Sequence, residues 1–147
     1  MSSTDVAVLG VGMHPWGKWG RPFTEYGVVA ARAALAEAGL DWRQIQLVAG
    51  ADTIRNGYPG FVAGATFAQK LGWNGVPVSS SYAACASGSQ ALQSARAQIL
   101  AGFCDVALVI ETLFEDDDHQ YVTWKWRPVT GTTPPTPPTS PAEEVQP

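Results

Sequence analysis

Four short apolar runs alternate with three longer helical segments, and this alternation constrains the fold more than any other feature of the sequence. The apolar runs, rich in valine and alanine, occupy residues 5–13, 45–53, 76–80 and 104–114. The segments with helical character lie between them, at residues 23–38, 60–71 and 87–101. Continuous apolar strands that alternate with helices are typical of a mainly parallel sheet with helices on its faces. The sequence therefore predicts an α/β fold with the element order β-α-β-α-β-α-β.

The sequence also predicts how two of these helices pack. The helix at residues 60–71 contains glycines that weaken it, so we expect it to pack closely against another backbone. The helix at residues 87–101 is expected to turn Leu92, Ala95 and Ile99 towards the core.

Composition and charge exclude several classes of protein. The chain has 147 residues, 46% of them apolar, which is enough for one domain with a hydrophobic core. A net charge of −4 argues against nucleic acid and anionic membranes as partners. No apolar run reaches the ~18 residues of a membrane span. The two cysteines make no disulfide framework, and the first residues lack the pattern of a signal peptide. We therefore expect a reducing, cytoplasmic location.

The stretch SYAACASGSQAL, residues 81–92, contains the main candidate for chemistry, Cys85. It lies between a predicted strand and a predicted helix, where functional residues of parallel sheets concentrate. A helix N-terminus favours the thiolate form of a cysteine, and the small neighbours Ser87 and Gly88 would let a substrate approach. The alternative is a buried, unreactive cysteine, which the residue pattern alone slightly favours.

Residues 5–110 resemble the N-terminal half of a thiolase-like domain. Among its branches, the chain is most similar to sterol-carrier-protein-x thiolases and bacterial lipid-transfer-protein thiolase homologues. The resemblance rests on VAVLGVG at 6–12, ARAALAEAGLDWRQIQLV at 31–48 and CASGSQALQSARAQILAGFCDVALVI at 85–110. It implies a thiolase-like half-domain in which helices flank a mainly parallel sheet.

The resemblance also implies a role for the candidate cysteine. Family members place their acyl-accepting cysteine in a Cys-x-Ser/Thr-Gly context, and Cys85-Ala86-Ser87-Gly88 matches it residue by residue. Cys85 would then take an acyl group from acyl-CoA as a thioester, in lipid or sterol metabolism. Backbone N–H groups near Ser87 and Gly88 would help to bind the substrate. The CoA thioester is a substrate here, and no bound cofactor is expected.

The chain departs from the family where the second half of a thiolase would follow. That half supplies a histidine and a second cysteine for proton transfer. His14 and His119 lie in no matching motif, and Cys104 lies in an apolar run where packing is the expected role. The resemblance is to an enzyme, but the catalytic machinery is incomplete in this chain, so we expect no carbon–carbon bond formation or cleavage by the isolated chain. Some homologues act as aldolases on steroid side-chain CoA thioesters, with residues of that same half.

The C-terminal part of the sequence divides into two further segments after the half-domain at residues 1–111. Residues 112–129 resemble, over a short match, the terminal strands of the OB-fold proteins with a zinc ribbon that accompany these thiolases. Residues 130–147 are rich in proline and threonine, which predicts a disordered tail. The zinc-ribbon cysteines are absent from the sequence, and the acidic run before His119 is read as a solvated turn, so no metal is expected.

A half-domain exposes sheet edges, and family members dimerise through strands in the region of VPVSS, residues 76–80. The expected partners are therefore acyl-CoA and either a second copy of the chain or a thiolase-like or OB-fold protein. Two alternatives to an enzyme stay open: a non-catalytic module that binds such a partner, and a truncated product without a function of its own.

Overall fold

The computed structural model describes residues 6–15, 17, 19–53 and 57–113. The helices within these residues are α1 (Phe23–Ala38), α2 (Gly57–Phe61), α3 (Ala63–Leu71) and α4 (Ser87–Leu100). The strands are β1 (Leu47–Asp52), β2 (Val78–Ser81) and β3 (Ala107–Thr112), and a short 3-10 helix spans Trp42–Gln44. The predicted β segment beyond residue 113 and the predicted tail at 130–147 lie outside the described residues.

The sheet has the strand order β2-β1-β3, with β1 parallel to both neighbours. Val48 of β1 lies opposite Val78 on one side and Leu108 on the other. Each connection between parallel strands passes through a helix, as a crossover requires. The predicted α/β fold with a parallel sheet flanked by helices is confirmed.

Side chains of the central strand alternate between two apolar layers, because successive residues of a strand point to opposite faces. Val48 packs in the layer formed with α1 and α3, around the buried ring of Phe67. Leu47 and Ala49 pack in the layer formed with α4, against Ala91 and its neighbours. The sheet thus separates α1 and α3 from α4, and the start of α4 lies at the carboxyl ends of the strands on its own face of the sheet.

Glycines allow α3 to approach the sheet at backbone distance. A Cβ atom at Gly50 of β1 would overlap the backbone of Gly64 in α3. A Cβ atom at Gly64 would in turn overlap the carbonyl oxygen of Ser79 in β2, and its N–H donates to Ser80 Oγ at 2.9 Å. The predicted close packing of this glycine-containing helix is confirmed.

The predicted first strand at residues 5–13 is wrong for the part that the structure describes. Residues 6–13 form no strand and lie along α1 instead. Gly10 and Gly12 approach the backbone of α1 so closely that a side chain at either position would overlap its carbonyl oxygens. The N–H of Val11 donates to the carboxylate of Glu37 in α1. The backbone of this segment therefore packs against a helix instead of pairing with a strand of the sheet.

Two further expectations about helices need correction. The single helix predicted at 60–71 is two helices, α2 and α3, broken at Val62 with φ −110° and ψ 37°. The hydroxyl of Thr66 donates to the carbonyl oxygen of Pro59 at 2.8 Å, which bonds one α2 carbonyl across the break. In α4, Leu92 was predicted to face the core but is 52% exposed. The predicted inward position of Ala95 is confirmed, and Ile99 is partly buried against the same core. The buried residues of this helix are Ser87, Gly88, Ala91 and Ala95. Alanine on this face lets the helix lie close to the sheet.

Candidate functional site

Cys85 is exposed and lies in the turn that joins the carboxyl end of β2 to the start of α4. Its neighbour Ala84 has φ 49°, in the left-handed region that side chains other than glycine rarely adopt. Such a residue costs about 1–2 kcal/mol and persists only where its surroundings hold it. The turn that carries Cys85 is therefore held in place by other groups.

Ser87 is the residue that holds this turn. Its side chain is fully buried. Its hydroxyl accepts the N–H of Ala83 at 2.9 Å and donates to the carbonyl oxygen of Ala84 at 2.7 Å. Its own N–H donates to that same carbonyl at 3.0 Å. Ser87 thus braces the strained residue beside Cys85, while the substrate-binding role of its N–H stays a prediction.

Gly88, the other predicted substrate-binding residue, is buried at the start of α4. Its N–H donates to Glu111 Oε1 at 2.7 Å. The same carboxylate oxygen accepts the hydroxyl of Thr53 at 3.1 Å. The Gly88 N–H therefore has a protein partner in this structure, and its role towards a substrate also stays a prediction.

Two residues of this site, Glu111 and Thr53, were not predicted from the sequence. Both residues lie where neighbouring parallel strands end, Glu111 in β3 and Thr53 directly after β1. The carboxyl ends of parallel strands lie on the same side of a sheet. The polar residues at the ends of the predicted strands could therefore have been identified as candidates for this site. Next to them, the hydroxyl of Thr112 donates to Asp52 Oδ1 at 3.4 Å, and both side chains are buried.

Exposed aromatic side chains lie on the β2 side of the molecule. The rings of Phe61 and Tyr82 meet at 6.0 Å with an interplanar angle of 62°. Close by in the chain, a shallow open groove of about 610 Å³ runs between α2 and α3. Its lining residues are Tyr58, Pro59, Val62, Ala65, Thr66, Gln69 and Trp73. Cys85 lies outside this groove.

The other candidate side chains lie elsewhere. Cys104 is buried beside Leu47, and burial raises the pKa of its thiol, with Asp105 as a second cause. Its predicted packing role is confirmed. His14 stacks on Trp19 with ring centroids 4.8 Å apart, and His119 lies outside the described residues. In the part of the chain that the structure describes, no cluster of metal-ligating side chains is present, and no helix is long and apolar enough to cross a membrane.

No protein-family model matches the chain. The acetyl-CoA acetyltransferase of Methanocaldococcus jannaschii is 34% identical over 111 residues, which cover 71% of this chain and 27% of that protein. The chain therefore spans about a quarter of the length of this curated relative.

Solved structures give the same fold. The acetyl-CoA acetyltransferase from Syntrophomonas wolfei matches with a TM-score of 0.62 and 27% identity over 69% of this chain and 27% of that chain. The 3-oxoacyl-(acyl-carrier-protein) synthase III from Aquifex aeolicus VF5 matches with a TM-score of 0.56 and 27% identity over 63% of this chain and 30% of that chain. Together these comparisons support the similarity of this chain to the thiolase-like superfamily. The narrower likenesses, to sterol-carrier-protein-x thiolases and to OB-fold partner proteins, stay predictions.

Proposed function

We propose that this chain is an acyltransferase of the thiolase type in which Cys85 accepts an acyl group from a CoA thioester. The observation that carries the proposal is the placement of Cys85. Its thiol is exposed on a braced, strained turn at the carboxyl end of a parallel strand, directly before a helix. Relatives whose names include acetyl-CoA acetyltransferase support the class of reaction.

The proposed step is a thioester exchange. The thiolate of Cys85 attacks the carbonyl carbon of the acyl-CoA, and the carbonyl electron pair moves to oxygen. When the carbonyl reforms, the bond between carbon and the CoA sulfur breaks. CoA leaves as a thiolate and takes a proton from water, and the acyl group remains on Cys85 Sγ.

Completion of the reaction needs groups that deliver and remove protons as the acyl group moves to its final acceptor. Among residues 6–15, 17, 19–53 and 57–113, no side chain hydrogen-bonds to the Cys85 thiol. We therefore propose that a thiolase-like partner protein supplies these groups, since a second copy of this chain would bring the same incomplete set. We propose lipid or sterol metabolism as the setting, with an aldolase reaction on steroid side-chain CoA thioesters as the alternative activity. The proposed location is the cytoplasm.

Mass spectrometry tests the acyl transfer directly. The two cysteines fall in different tryptic peptides, residues 71–96 and 97–125, so an adduct can be assigned to one thiol. Incubation of the folded chain with acetyl-CoA should acetylate the peptide of Cys85, and Cys85→Ser should remove the adduct. Cys104→Ser is the matched control and should leave it unchanged. A chain that gains no adduct at Cys85, or gains it equally at both cysteines, would contradict the proposal.

The edge of β2 is the proposed interface with a second copy. In the described sheet β2 pairs only with β1, so its other edge is open to another strand. The exposed ring of Tyr82 directly follows this strand, and it contacts the exposed ring of Phe61 in α2, so both would add apolar area. Light scattering should show a dimer that Tyr82→Ser weakens. Phe103→Ser, which removes an exposed ring at the far end of α4, should not weaken it.

A second candidate function, a non-catalytic module that binds a partner, is favoured by the exposed apolar side chains. Val8, Leu9, Val11 and Met13 are each more than half exposed along one segment, where water meets their apolar surface. Under this function the chain would co-purify with a full-length thiolase-like or OB-fold protein and show no acyl adduct at Cys85. Acylation of Cys85 in the isolated chain would rule against it.

A further inference from the structure

The carboxylate of Glu111 is fixed at the start of α4, beside the turn that carries Cys85. One of its oxygens accepts the N–H of Gly88 and the hydroxyl of Thr53, so it is tied to α4 and to the end of β1 at once. These contacts join three elements that are distant in sequence. Glu111 therefore has a defined position although the residue is exposed.

The fit between Glu111 and Gly88 is close. A Cβ atom at position 88 would overlap both oxygens of the carboxylate. Any side chain larger than hydrogen would therefore push Glu111 away from the helix. The glycine at the start of α4 is what makes room for the negative charge.

Gly88, whose N–H donates to this carboxylate, is close to Cys85 in the chain. Cys85 precedes Gly88 by three residues, so their Cα atoms are at most about 11 Å apart. The screening length is about 8 Å at physiological ionic strength and about 30 Å at 0.01 M, so a charge held at Gly88 acts on the thiol mainly at low salt. The start of a helix favours a nearby thiolate through its partial positive charge, and a carboxylate at the same place offsets that effect.

We propose that Glu111 restrains Cys85 by occupying the Gly88 N–H and offsetting the positive end of α4. Glu111 is a positioning residue that acts through Gly88 and the helix start, and it does not itself touch the reacting atoms. The inference rests on the proposed role of Cys85 as the nucleophile. Its consequence is that the thiol of this chain reacts more slowly than its exposed position alone would allow.

Alkylation with a neutral and an anionic reagent tests this restraint. Rate constants at Cys85 are measured on the full chain with iodoacetamide and with iodoacetate, at one pH and at one low salt concentration of about 0.01 M. Glu111→Gln keeps the shape and an acceptor oxygen but removes the charge. We expect about a threefold faster reaction with iodoacetamide and about tenfold with iodoacetate, since the anionic reagent is repelled as well. The ratio of the two rates should therefore rise about threefold.

Two variants control for effects other than this charge. Glu37→Gln in α1 also removes a carboxylate that accepts one backbone N–H, but α1 packs on the opposite face of the sheet from α4. It should leave the ratio unchanged. Glu111→Asp keeps the charge and should leave the ratio close to that of the unchanged chain. A Glu111→Gln variant with an unchanged ratio, or with slower reaction of both reagents, would overturn the restraint.

The two proposals fail separately. The alkylation ratio is measured without acyl-CoA, so it reports on Glu111 whether or not Cys85 accepts an acyl group. Absence of an acetyl adduct, with a ratio that still responds to Glu111→Gln, would remove the acyltransferase and keep the restraint. An adduct at Cys85 with an unresponsive ratio would do the reverse.

Discussion

Cys85 and Cys104 flank α4 at its two ends, and their surroundings differ in every respect that matters for thiol chemistry. Cys85 follows the carboxyl end of β2 and is exposed. Cys104 precedes the amino end of β3 and is only 7% exposed, packed beside Leu47. Because the strands are parallel, one position lies at the carboxyl ends of the strands and the other at their amino ends. The comparison shows that the place of a cysteine relative to the strand direction separates a candidate nucleophile from a packing residue.

The backbone around the two thiols differs as well. The turn at Cys85 includes a left-handed alanine that is held by buried hydrogen bonds of Ser87. The turn before Cys104 places its left-handed conformation at Gly102, with φ 77°, where it costs little. Of these two turns, the one beside the exposed thiol holds a residue other than glycine in the left-handed region, and such strain is common at functional sites.

The largest expected effect is the difference in alkylation rate between the two thiols. Iodoacetamide at neutral pH should label Cys85 about 10- to 100-fold faster than Cys104, because a buried thiol reacts only after local opening. Peptide mapping of a time course measures both rates in one sample. In 8 M urea the two rates should become similar, which shows that the fold creates the difference. Equal and slow labelling of both thiols in the folded chain would contradict the proposed nucleophile.

A smaller effect is expected from removal of the brace beside Cys85. Ser87→Ala removes the buried hydroxyl. The Ala83 N–H then loses its acceptor and the Ala84 carbonyl loses one of its two donors, at a cost of about 1–3 kcal/mol. Urea unfolding measures this loss, and we expect the alkylation rate at Cys85 to change while that at Cys104 does not.

The neighbouring serine supplies the matched control for this prediction. Ser89→Ala removes an exposed hydroxyl from the same helix and should change the free energy of unfolding by less than about 0.5 kcal/mol. Equal effects of the Ser87 and Ser89 variants would show that the turn at Cys85 is not braced by the buried hydroxyl.

The contrast between the two cysteines was partly visible in the sequence. The strand-to-helix position of Cys85 and the apolar surroundings of Cys104 follow from local patterns, and the structure has both. The bonds of Ser87 could not be predicted, because they depend on the backbone angles of one turn. The Glu111 contact with Gly88 joins residues 23 positions apart and depends on strand register.

The incorrect prediction of a first strand has a similar cause, because strand formation also depends on contacts between distant residues. Residues 6–13 have the composition of a buried strand, but Gly10 and Gly12 also fit closely against α1. A strand requires a neighbour for its backbone as well as apolar side chains, and only the three-dimensional arrangement shows whether that neighbour is present. In the same way, α4 presents alanines to the sheet and leaves Leu92 outside, because the approach distance of the helix is a tertiary property.

The smallest expected effect is a pH dependence carried by Cys104. Burial raises the pKa of this thiol, and the nearby Asp105 raises it further, whereas a thiol in the unfolded chain ionises near pH ~8.5. The folded state therefore keeps the proton at pH values where the unfolded state releases it. The stability that this proton contributes is complete below about pH 8.5 and is lost as the pH rises towards the folded pKa.

Urea midpoints measured between pH 7 and pH 10 test this dependence, with the chain kept reduced. The stability advantage of the unchanged chain over Cys104→Ala should shrink as the pH rises, since only the unchanged chain has the thiol to ionise. Cys104→Ser also lacks an ionisable group there and should give the same trend from a different starting value. An advantage that stays constant or grows up to pH 10 would show that the buried thiol does not couple ionisation to folding, and that packing alone distinguishes it from Cys85.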